Sequence, residues 1–466
     1  MPMRYISTRG QAPSLGFADV TLAGLASDGG LYVPESWPRV SAETQRVWRN
    51  LSYPDLAVEL MRPFLGGEIS DAAFARMVHE AYATFEHPAV APLHQLDANL
   101  WLQELFHGPT LAFKDVALQL LGRLFDHILA ERGRRITIVG ATSGDTGSAA
   151  IEACRDRDAI DIFILFPQGR VSPVQQRQMT TVASGNVHCI AVDGTFDDCQ
   201  DLVKALFADT GFRDEVNLSA VNSINWARVM AQTVYYAFAA LQLGAPDRSI
   251  DVAVPTGNFG NIFAAYGVKQ MGFPIERLIV GSNRNDILTR FFQADDMSLR
   301  AVEPSLSPSM DIQVSSNVER LLFDLYDRDG RATAEALAEL RANGRLALGE
   351  NRHAAAKATF SAASFDDAAT LAGIARWRQQ AGYTLDPHSA VGVLAAEACA
   401  PERPRPLVVG ATAHPAKFPD AVERATGQRP PLPDRLADLF ERPERLTDLP
   451  NDLGALQTLV RERRRG

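Results

Sequence analysis

The sequence predicts an α/β protein with mostly parallel sheets. The prediction rests on three units in which an apolar, β-branched strand leads through a loop of small and hydroxyl residues into a helix. These units are RITIVG (135–140) followed by ATSGDTGSAAIEA, IDVAVP (250–255) followed by TGNFGNIFAAYG, and PLVVG (406–410) followed by ATAHPAKFPDAVERA. Open α/β sheets bind ligands at the carboxyl ends of their strands, so we expect functional residues in these loops.

Composition narrows the class of protein. A chain of 466 residues, 46% hydrophobic and 22% charged, is long enough for two or three globular domains. The net charge of -10 argues against nucleic acid or an anionic membrane as the main partner. Four scattered cysteines without a CxxC pair and the absence of a long apolar run predict a cytoplasmic protein without a membrane span. The histidines show no metal-ligand spacing, so we expect no metal site.

Three segments are distinguishable along the chain. Residues 1–90 mix turns and short helices, with a strand-like LYV inside DGGLYVPESWP (28–38) and a helical pattern in YPDLAVELMRPFL (53–65). Residues 91–430 carry the α/β alternation. Residues 431–466 follow a proline break, and we expect them to form a helical tail.

The loop TGNFGN (256–261) predicts an anion site. Gly257 and Gly260 permit tight turns that bring several N–H groups together, and the following helix adds the positive end of its dipole. The loop is neither GxGxxG nor a Walker loop, which favours a small phosphate ester over a dinucleotide. A glycine turn without a ligand is equally compatible with the spacing.

Two further loops have competing interpretations. In GATSGDTGSAA (140–150), backbone donors and hydroxyls could hold a second anion, but Ser143 or Asp145 could equally cap the next helix, and capping is the more usual role. In SSNVERLLFDLY (315–326), Ser316 stands three residues before Glu319, which predicts a capping box.

Lys114, in HGPTLAFKD (107–115), begins a predicted amphipathic helix. At a helix N-terminus, and partly buried beside Phe113, an ammonium is disfavoured, so we expect a lysine pKa below its usual value of about 10.4. A neutral amine is what Schiff-base formation with an aldehyde requires. The common alternative is a solvated lysine at a helix start.

The motifs HGPTLAFKD, GATSGDTGSAA, VPTGNFGN and GATAHPAKFPDA together resemble the threonine synthase family of pyridoxal-phosphate (PLP) enzymes of fold type II. YISTRG, LASDGGLYVPESWP, NSINWARVMAQTVYY, SNRNDIL and MDIQVSSNVERLLFDLY extend the resemblance from position 3 to about 425. It implies a tryptophan synthase β-like fold, with two parallel-sheet α/β lobes in 91–430 and an N-terminal domain in 1–90.

The resemblance also implies roles for individual residues. Lys114 matches the lysine that forms the Schiff base with PLP and then moves protons, and Thr412 matches the hydroxyl residue that faces the pyridine nitrogen. From its position, Phe113 is expected to pack near the cofactor. The loop that cradles the cofactor phosphate is matched by Gly257, Asn258, Phe259, Gly260 and Asn261. The segment near the substrate is matched by Thr142, Ser143, Asp145 and Thr146, and Asp145 stands where many fold-type II enzymes carry Asn.

The implied reaction converts O-phospho-L-homoserine and water into L-threonine and phosphate. Ser315 and Ser316 are candidates for holding the substrate phosphate, although capping is the simpler role for Ser316. Two alternatives stay open: a PLP-dependent phospholyase or dehydratase that releases 2-oxobutyrate, and a non-catalytic relative that binds a ligand. The N-terminal segment favours threonine synthase over the dehydratases, and the sequence does not predict an oligomeric state.

Overall fold

The computed structural model describes residues 2–220 and 222–465, which form two compact units. The first unit comprises Met1–His107 and Ser223–Pro430, and the second comprises Gly108–Asn222 and Pro431–Gly466. None of the helices in the described residues combines the length and the apolar composition that a membrane span requires.

The elements follow the chain through the two units. The first unit begins with β1 (Tyr5–Ser7), α1 (Phe17–Ala23), β2 (Tyr32–Pro34), α2 (Ala42–Trp48), α3 (Tyr53–Met61), α4 (Asp71–Tyr82), β3 (Leu93–Asp97) and β4 (Leu100–Glu104). The second unit contributes α5 (Lys114–Glu131), β5 (Ile136–Ala141), α6 (Asp145–Cys154), β6 (Ile160–Pro167), α7 (Pro173–Thr180), β7 (Val187–Asp193), α8 (Phe196–Ala208), α9 (Thr210–Glu215) and β8 (Leu218–Ser219).

The chain then returns to the first unit. There it forms α10 (Trp226–Gln242), β9 (Ile250–Pro255), α11 (Gly260–Gln270), β10 (Ile275–Ser282), α12 (Ile287–Ala294), β11 (Met297–Ser298), α13 (Val318–Leu325), α14 (Gly330–Asn343), β12 (Arg345–Leu346), α15 (Glu350–Thr359), β13 (Phe360–Ser364), α16 (Asp367–Ala381), α17 (Pro387–Cys399), β14 (Leu407–Ala411) and α18 (Pro419–Thr426). The second unit is completed by β15 (Thr447–Pro450) and α19 (Leu453–Arg463). Short 3₁₀ turns lie at Arg62–Leu65, Pro308–Met310, Pro415–Lys417 and Asp434–Leu436.

The first unit is built on a six-stranded sheet of order β13-β10-β9-β14-β4-β3. All neighbouring strands are parallel except the antiparallel pair β3–β4. The parallel strands β10, β9, β14 and β4 therefore end at one edge of the sheet, where their following loops meet. Buried aliphatic side chains such as Leu102, Ile279 and Val409 form the core beside this sheet.

The second unit is built on a five-stranded parallel sheet of order β15-β7-β6-β5-β8. The edge strand β15 pairs with β7, and Leu449 joins Leu456 and Val460 of α19 in the core. The expectation of a purely helical tail over 431–466 is therefore wrong at 447–450. The segment TDLP buries only Leu449 and has no strand periodicity, so its conformation depends on the free edge of β7.

The predicted fold class is confirmed by these two sheets. The strand–loop–helix units around β5, β9 and β14 were all predicted, as were β2 and α3 in the N-terminal segment. The domain boundaries at 90 and 430 stay predictions. The compact units also divide the chain between Pro430 and Pro431, but their other divisions lie after His107 and after Asn222 and not at residue 90.

Candidate active site

Lys114 is the first residue of α5, as predicted, and only 8% of it is exposed. Its Nζ atom donates a hydrogen bond to Oδ2 of Asp145 at 3.3 Å and lies 5.2 Å from the centroid of the Phe113 ring. The Asp145 carboxylate stabilises the ammonium form, whereas burial and the helix dipole destabilise it. The sequence predicted the effects of burial and of the helix dipole but not the contact with Asp145.

Close helix packing fixes this ion pair. Lys114 begins α5 and Asp145 begins α6, and a Cβ on Gly122 of α5 would lie 2.2 Å from the carbonyl oxygen of Ala153 in α6. Only glycine permits this approach of the two helices. The second carboxylate oxygen of Asp145 accepts a hydrogen bond from Nε2 of Gln175 at 2.8 Å, so the orientation of the carboxylate is fixed from two sides.

The loop between β5 and α6 is capped differently from the prediction. The N-cap residue is Gly144, and neither Ser143 nor Asp145 caps the helix, so that prediction is wrong. Instead, Oγ1 of Thr142 accepts hydrogen bonds from the N–H groups of Gly144 at 3.0 Å and Gly147 at 2.9 Å. Ser143 is exposed, and Thr146 is half-buried in the first turn of the helix.

The glycine loop of the first unit connects β9 to α11. A Cβ on Gly257 would lie 2.6 Å from the carbonyl oxygen of Ser309, so no larger residue fits without displacement. Phe259, the buried N-cap residue, has a left-handed backbone with φ of 63°. The carbonyls of Gly257 and Asn258 accept hydrogen bonds from the segment 315–317. The first N–H groups of α11 have no partner inside the helix and are available to an anion.

Asn261, at the second position of α11, provides a further donor. Its Oδ1 accepts hydrogen bonds from the hydroxyls of Tyr235 and Tyr236, both at 2.6 Å. Its Nδ2 is buried and has no acceptor among the residues that the structure describes. An unpaired buried donor at a helix N-terminus suits a phosphate oxygen.

Thr412 follows β14 at the same sheet edge. Its N–H donates a hydrogen bond to Oγ of Ser389 at 3.1 Å, and the Ser389 hydroxyl donates in turn to the Asp386 carboxylate. The backbone of Thr412 is thus fixed, and the buried residue offers a neutral hydroxyl rather than an acid. Its role toward a ring nitrogen stays a prediction.

The predicted capping box at Ser316 and Glu319 is wrong. Helix α13 begins with Asn317 as its N-cap, and no side chain completes the cap. The Ser316 hydroxyl lies 3.5 Å from Oδ1 of Asn258, while Glu319 accepts hydrogen bonds from Thr8 and Arg9. Both side chains of the expected box are therefore engaged by distant parts of the chain.

Arg228 of α10 is a further candidate that the sequence reasoning missed. It is 3% exposed, and its Nε and Nη1 atoms have no partner within residues 2–220 and 222–465. Burial lowers the pKa of its guanidinium to about 10. Arg228 and Tyr235 lie two helical turns apart on one face of α10, and Tyr235 contacts Asn261. The single charge within WARVMAQTVYYAFAALQ was the available signal.

Each unit contains groups that suit a part of pyridoxal phosphate. The second unit offers a buried primary amine at Lys114, and the first offers backbone donors for a phosphate ester and a neutral hydroxyl at Thr412. Together with one mostly parallel and one fully parallel sheet, they define a PLP-dependent enzyme of fold type II. Residues 84–363 match the family model described as "Pyridoxal-phosphate dependent enzyme".

The chain belongs to the threonine synthase family. Residues 4–82 match the model "Threonine synthase N terminus", and residues 389–460 match "Threonine synthase, C-terminal". Threonine synthase of Pseudomonas aeruginosa is 58% identical over 98% of both chains. The crystal structure of PLP-bound threonine synthase from Brucella melitensis is 55% identical in sequence, the match covers 100% of both chains, and the TM-score is 0.98. The yeast enzyme is 39% identical, with a TM-score of 0.94 and coverage of 99% of this chain and 98% of its own.

Proposed function

We propose that this enzyme converts O-phospho-L-homoserine and water into L-threonine and phosphate. The observation that carries the proposal is likeness to threonine synthases over 98% of the chain, including the N- and C-terminal segments specific to that family. We also propose the cytoplasm as its compartment, because all four cysteines are unpaired thiols, as in a reducing environment.

In the first unit, we assign cofactor binding to the loop Gly257–Asn261 and to Thr412. The N–H groups that begin α11 and Nδ2 of Asn261 would hold the phosphate ester, since they are donors at the positive end of a helix. The neutral Thr412 hydroxyl would face the pyridine nitrogen and leave it largely unprotonated. When bound, PLP supplies an electron sink for negative charge next to the substrate α-carbon.

In the second unit, we assign the covalent attachment of the cofactor and the proton transfers to Lys114. The Nζ atom would take a proton from the substrate α-carbon and then one from the β-carbon, which allows phosphate to leave from the γ-carbon. Protons would then return to the γ-carbon and the α-carbon, and water would add its hydroxyl to the β-carbon and release its remaining proton. Asp145 is a positioning residue in this proposal. Its carboxylate, 3.3 Å from Nζ, holds the amine in place and stabilises it each time that it carries a proton.

The two anionic groups of the substrate need separate partners. For the substrate carboxylate we assign the N-terminus of α6, because a helix N-terminus favours an anion. Thr142 and Ser143 precede this helix, and Thr146 lies in its first turn. For the phosphate we assign Arg228, a buried guanidinium with unpaired donors. Ser315 is less suited, because its hydroxyl already donates to the carbonyl of Gly257.

The test is incubation of the purified enzyme with O-phospho-L-homoserine and separate assays of threonine, 2-oxobutyrate and phosphate. Threonine formed in equal amount to phosphate supports the proposal. 2-Oxobutyrate in place of threonine would identify the phospholyase alternative, and no phosphate release would reject both and leave the non-catalytic alternative.

A further inference from the structure

The first unit contains a cavity that the proposed reaction does not use. Its volume is about 280 Å³, near the lower end of the range for small-molecule sites. Its walls are mainly aliphatic, and include Leu31, Ile287, Leu322, Leu337 and Leu340. An apolar chamber of this size accommodates a small aliphatic group.

Polar side chains in the cavity wall indicate which polar groups a ligand carries in addition to its aliphatic part. Gln313 lines the cavity and is 8% exposed, and its Oε1 has no hydrogen-bond donor among the described residues. A buried acceptor without a partner is costly for the folded state, so its presence points to a ligand that donates a hydrogen bond.

Arg341 supplies the opposite chemistry. It lines the same cavity on the exposed face of α14, and within the described residues its guanidinium forms no salt bridge. Arg9, also in the wall, is by contrast neutralised by Glu319 at 2.9 Å. The cavity thus presents one unpaired cation for a carboxylate and one unpaired acceptor for an ammonium.

We propose that this cavity binds a free aliphatic α-amino acid of the size of valine, leucine or isoleucine. The carboxylate pairs with Arg341, the ammonium donates to Oε1 of Gln313, and the side chain packs against the leucines. This site is distinct from the residues assigned to the reaction.

The bound amino acid would act on the cofactor loop through one short segment. Val314, Ser315 and Ser316 line the cavity, and Ser315 and the adjoining Asn317 donate hydrogen bonds to the loop that follows β9. The Ser315 hydroxyl is 2.7 Å from the carbonyl of Gly257, and Nδ2 of Asn317 is 2.9 Å from that of Asn258. A ligand that fixes this segment therefore changes the affinity of the enzyme for its substrate.

The test is calorimetric titration of the PLP-loaded enzyme with L-leucine, L-isoleucine and L-valine, with L-aspartate as a polar comparison. We expect saturable binding of an aliphatic amino acid without a change in the cofactor absorbance spectrum. Arg341→Ala should weaken this binding at least tenfold, whereas Arg345→Ala, at an exposed arginine outside the cavity wall, should leave it unchanged.

A second variant separates a ligand site from a structural role. Gln313→Leu removes the unpaired acceptor, so it should weaken binding at least tenfold while the melting temperature stays equal or rises. A merely structural glutamine would lower the melting temperature on replacement. Absence of binding at millimolar concentrations, binding that both variants retain, or binding that changes the cofactor spectrum would overturn the proposal.

Discussion

The Nζ atom of Lys114 lies 3.3 Å from Oδ2 of Asp145, which joins the first residue of α5 to the first residue of α6. Both residues stand at positive helix ends, where a carboxylate is stabilised and an ammonium is not. The helix dipole therefore stabilises the Asp145 carboxylate, and this carboxylate in turn stabilises the Lys114 ammonium that the dipole disfavours.

Lys114→Ala should lower turnover by about 10³-fold or more, because no other group replaces the amine. Steady-state rates with O-phospho-L-homoserine measure the loss. Borohydride treatment of the wild-type enzyme, followed by peptide mass analysis, should locate the cofactor on Lys114. Lys204→Ala, at an exposed lysine paired with Asp201, serves as the control and should keep full activity.

Asp145→Asn keeps the size of the side chain but removes its charge. The ammonium of Lys114 loses its stabilising partner, so the amine gives up its proton at lower pH. We therefore expect the acidic limb of the kcat–pH profile to move to lower pH. Gln175→Leu removes only the hydrogen bond to the other carboxylate oxygen, and an equal shift in that variant would argue against a charge effect.

Gly257→Ala should weaken PLP binding about tenfold, since its Cβ would meet the carbonyl of Ser309 at 2.6 Å and force the loop to move. Titration of the apoenzyme with PLP, followed by absorbance, gives the dissociation constant. Gly185→Ala has open space around the new Cβ and should bind PLP normally. Equal affinities in the two variants would contradict the cradle at Gly257.

Arg228→Met should raise KM for the phosphorylated substrate about tenfold to 100-fold, because a charged hydrogen-bond partner is lost. The same change should raise the melting temperature, since a buried unpaired charge is removed from the fold. Inorganic phosphate should stabilise the wild-type protein against heat but not this variant. A lower melting temperature with unchanged KM would show that Arg228 is structural.

Glu104 should stabilise the fold in a pH-dependent way. Burial raises the pKa of its carboxyl, but hydrogen bonds with His107 and Tyr383 lower it by more, so the pKa lies below its usual value. The contribution of Glu104 to the free energy of unfolding is therefore complete at a pH above its pKa in the unfolded chain, about 4.3. It is lost as the pH falls through the lower pKa of the folded state. In urea unfolding, Glu104→Gln should have a lower free energy of unfolding than the wild-type protein at pH 7, and this difference should shrink in acid. Glu402→Gln, at an exposed glutamate, is the control and should show no such pH-dependent difference.

The sequence predicted those features that neighbouring residues determine. The helix start at Lys114, the strand before each functional loop and the turn at Gly257 all follow from local periodicity and glycine placement. Local signals also predicted that Ser143 or Asp145 caps α6 and that Ser316 caps α13, and both predictions were wrong. Thr142 caps α6 instead, and Ser316 and Glu319 contact residues that are distant in the sequence.

The remaining features depend on contacts between distant positions. The pairing of Asp145 with Lys114 requires α5 and α6 to pack through Gly122, which no local pattern indicates. Arg228 was visible as a charge in an apolar helix, but only the structure shows that its donors are unpaired.

The order in which the second unit acquires its strands has a consequence for biosynthesis. Strand β7 leaves the ribosome early, but its outer neighbour β15 is made only after residues 223–430 have been translated. During that interval the outer backbone groups of β7 stay open to pairing with other chains. Truncated products that stop before Thr447 should consequently aggregate, and a chaperone that shields β7 would improve the yield of folded enzyme.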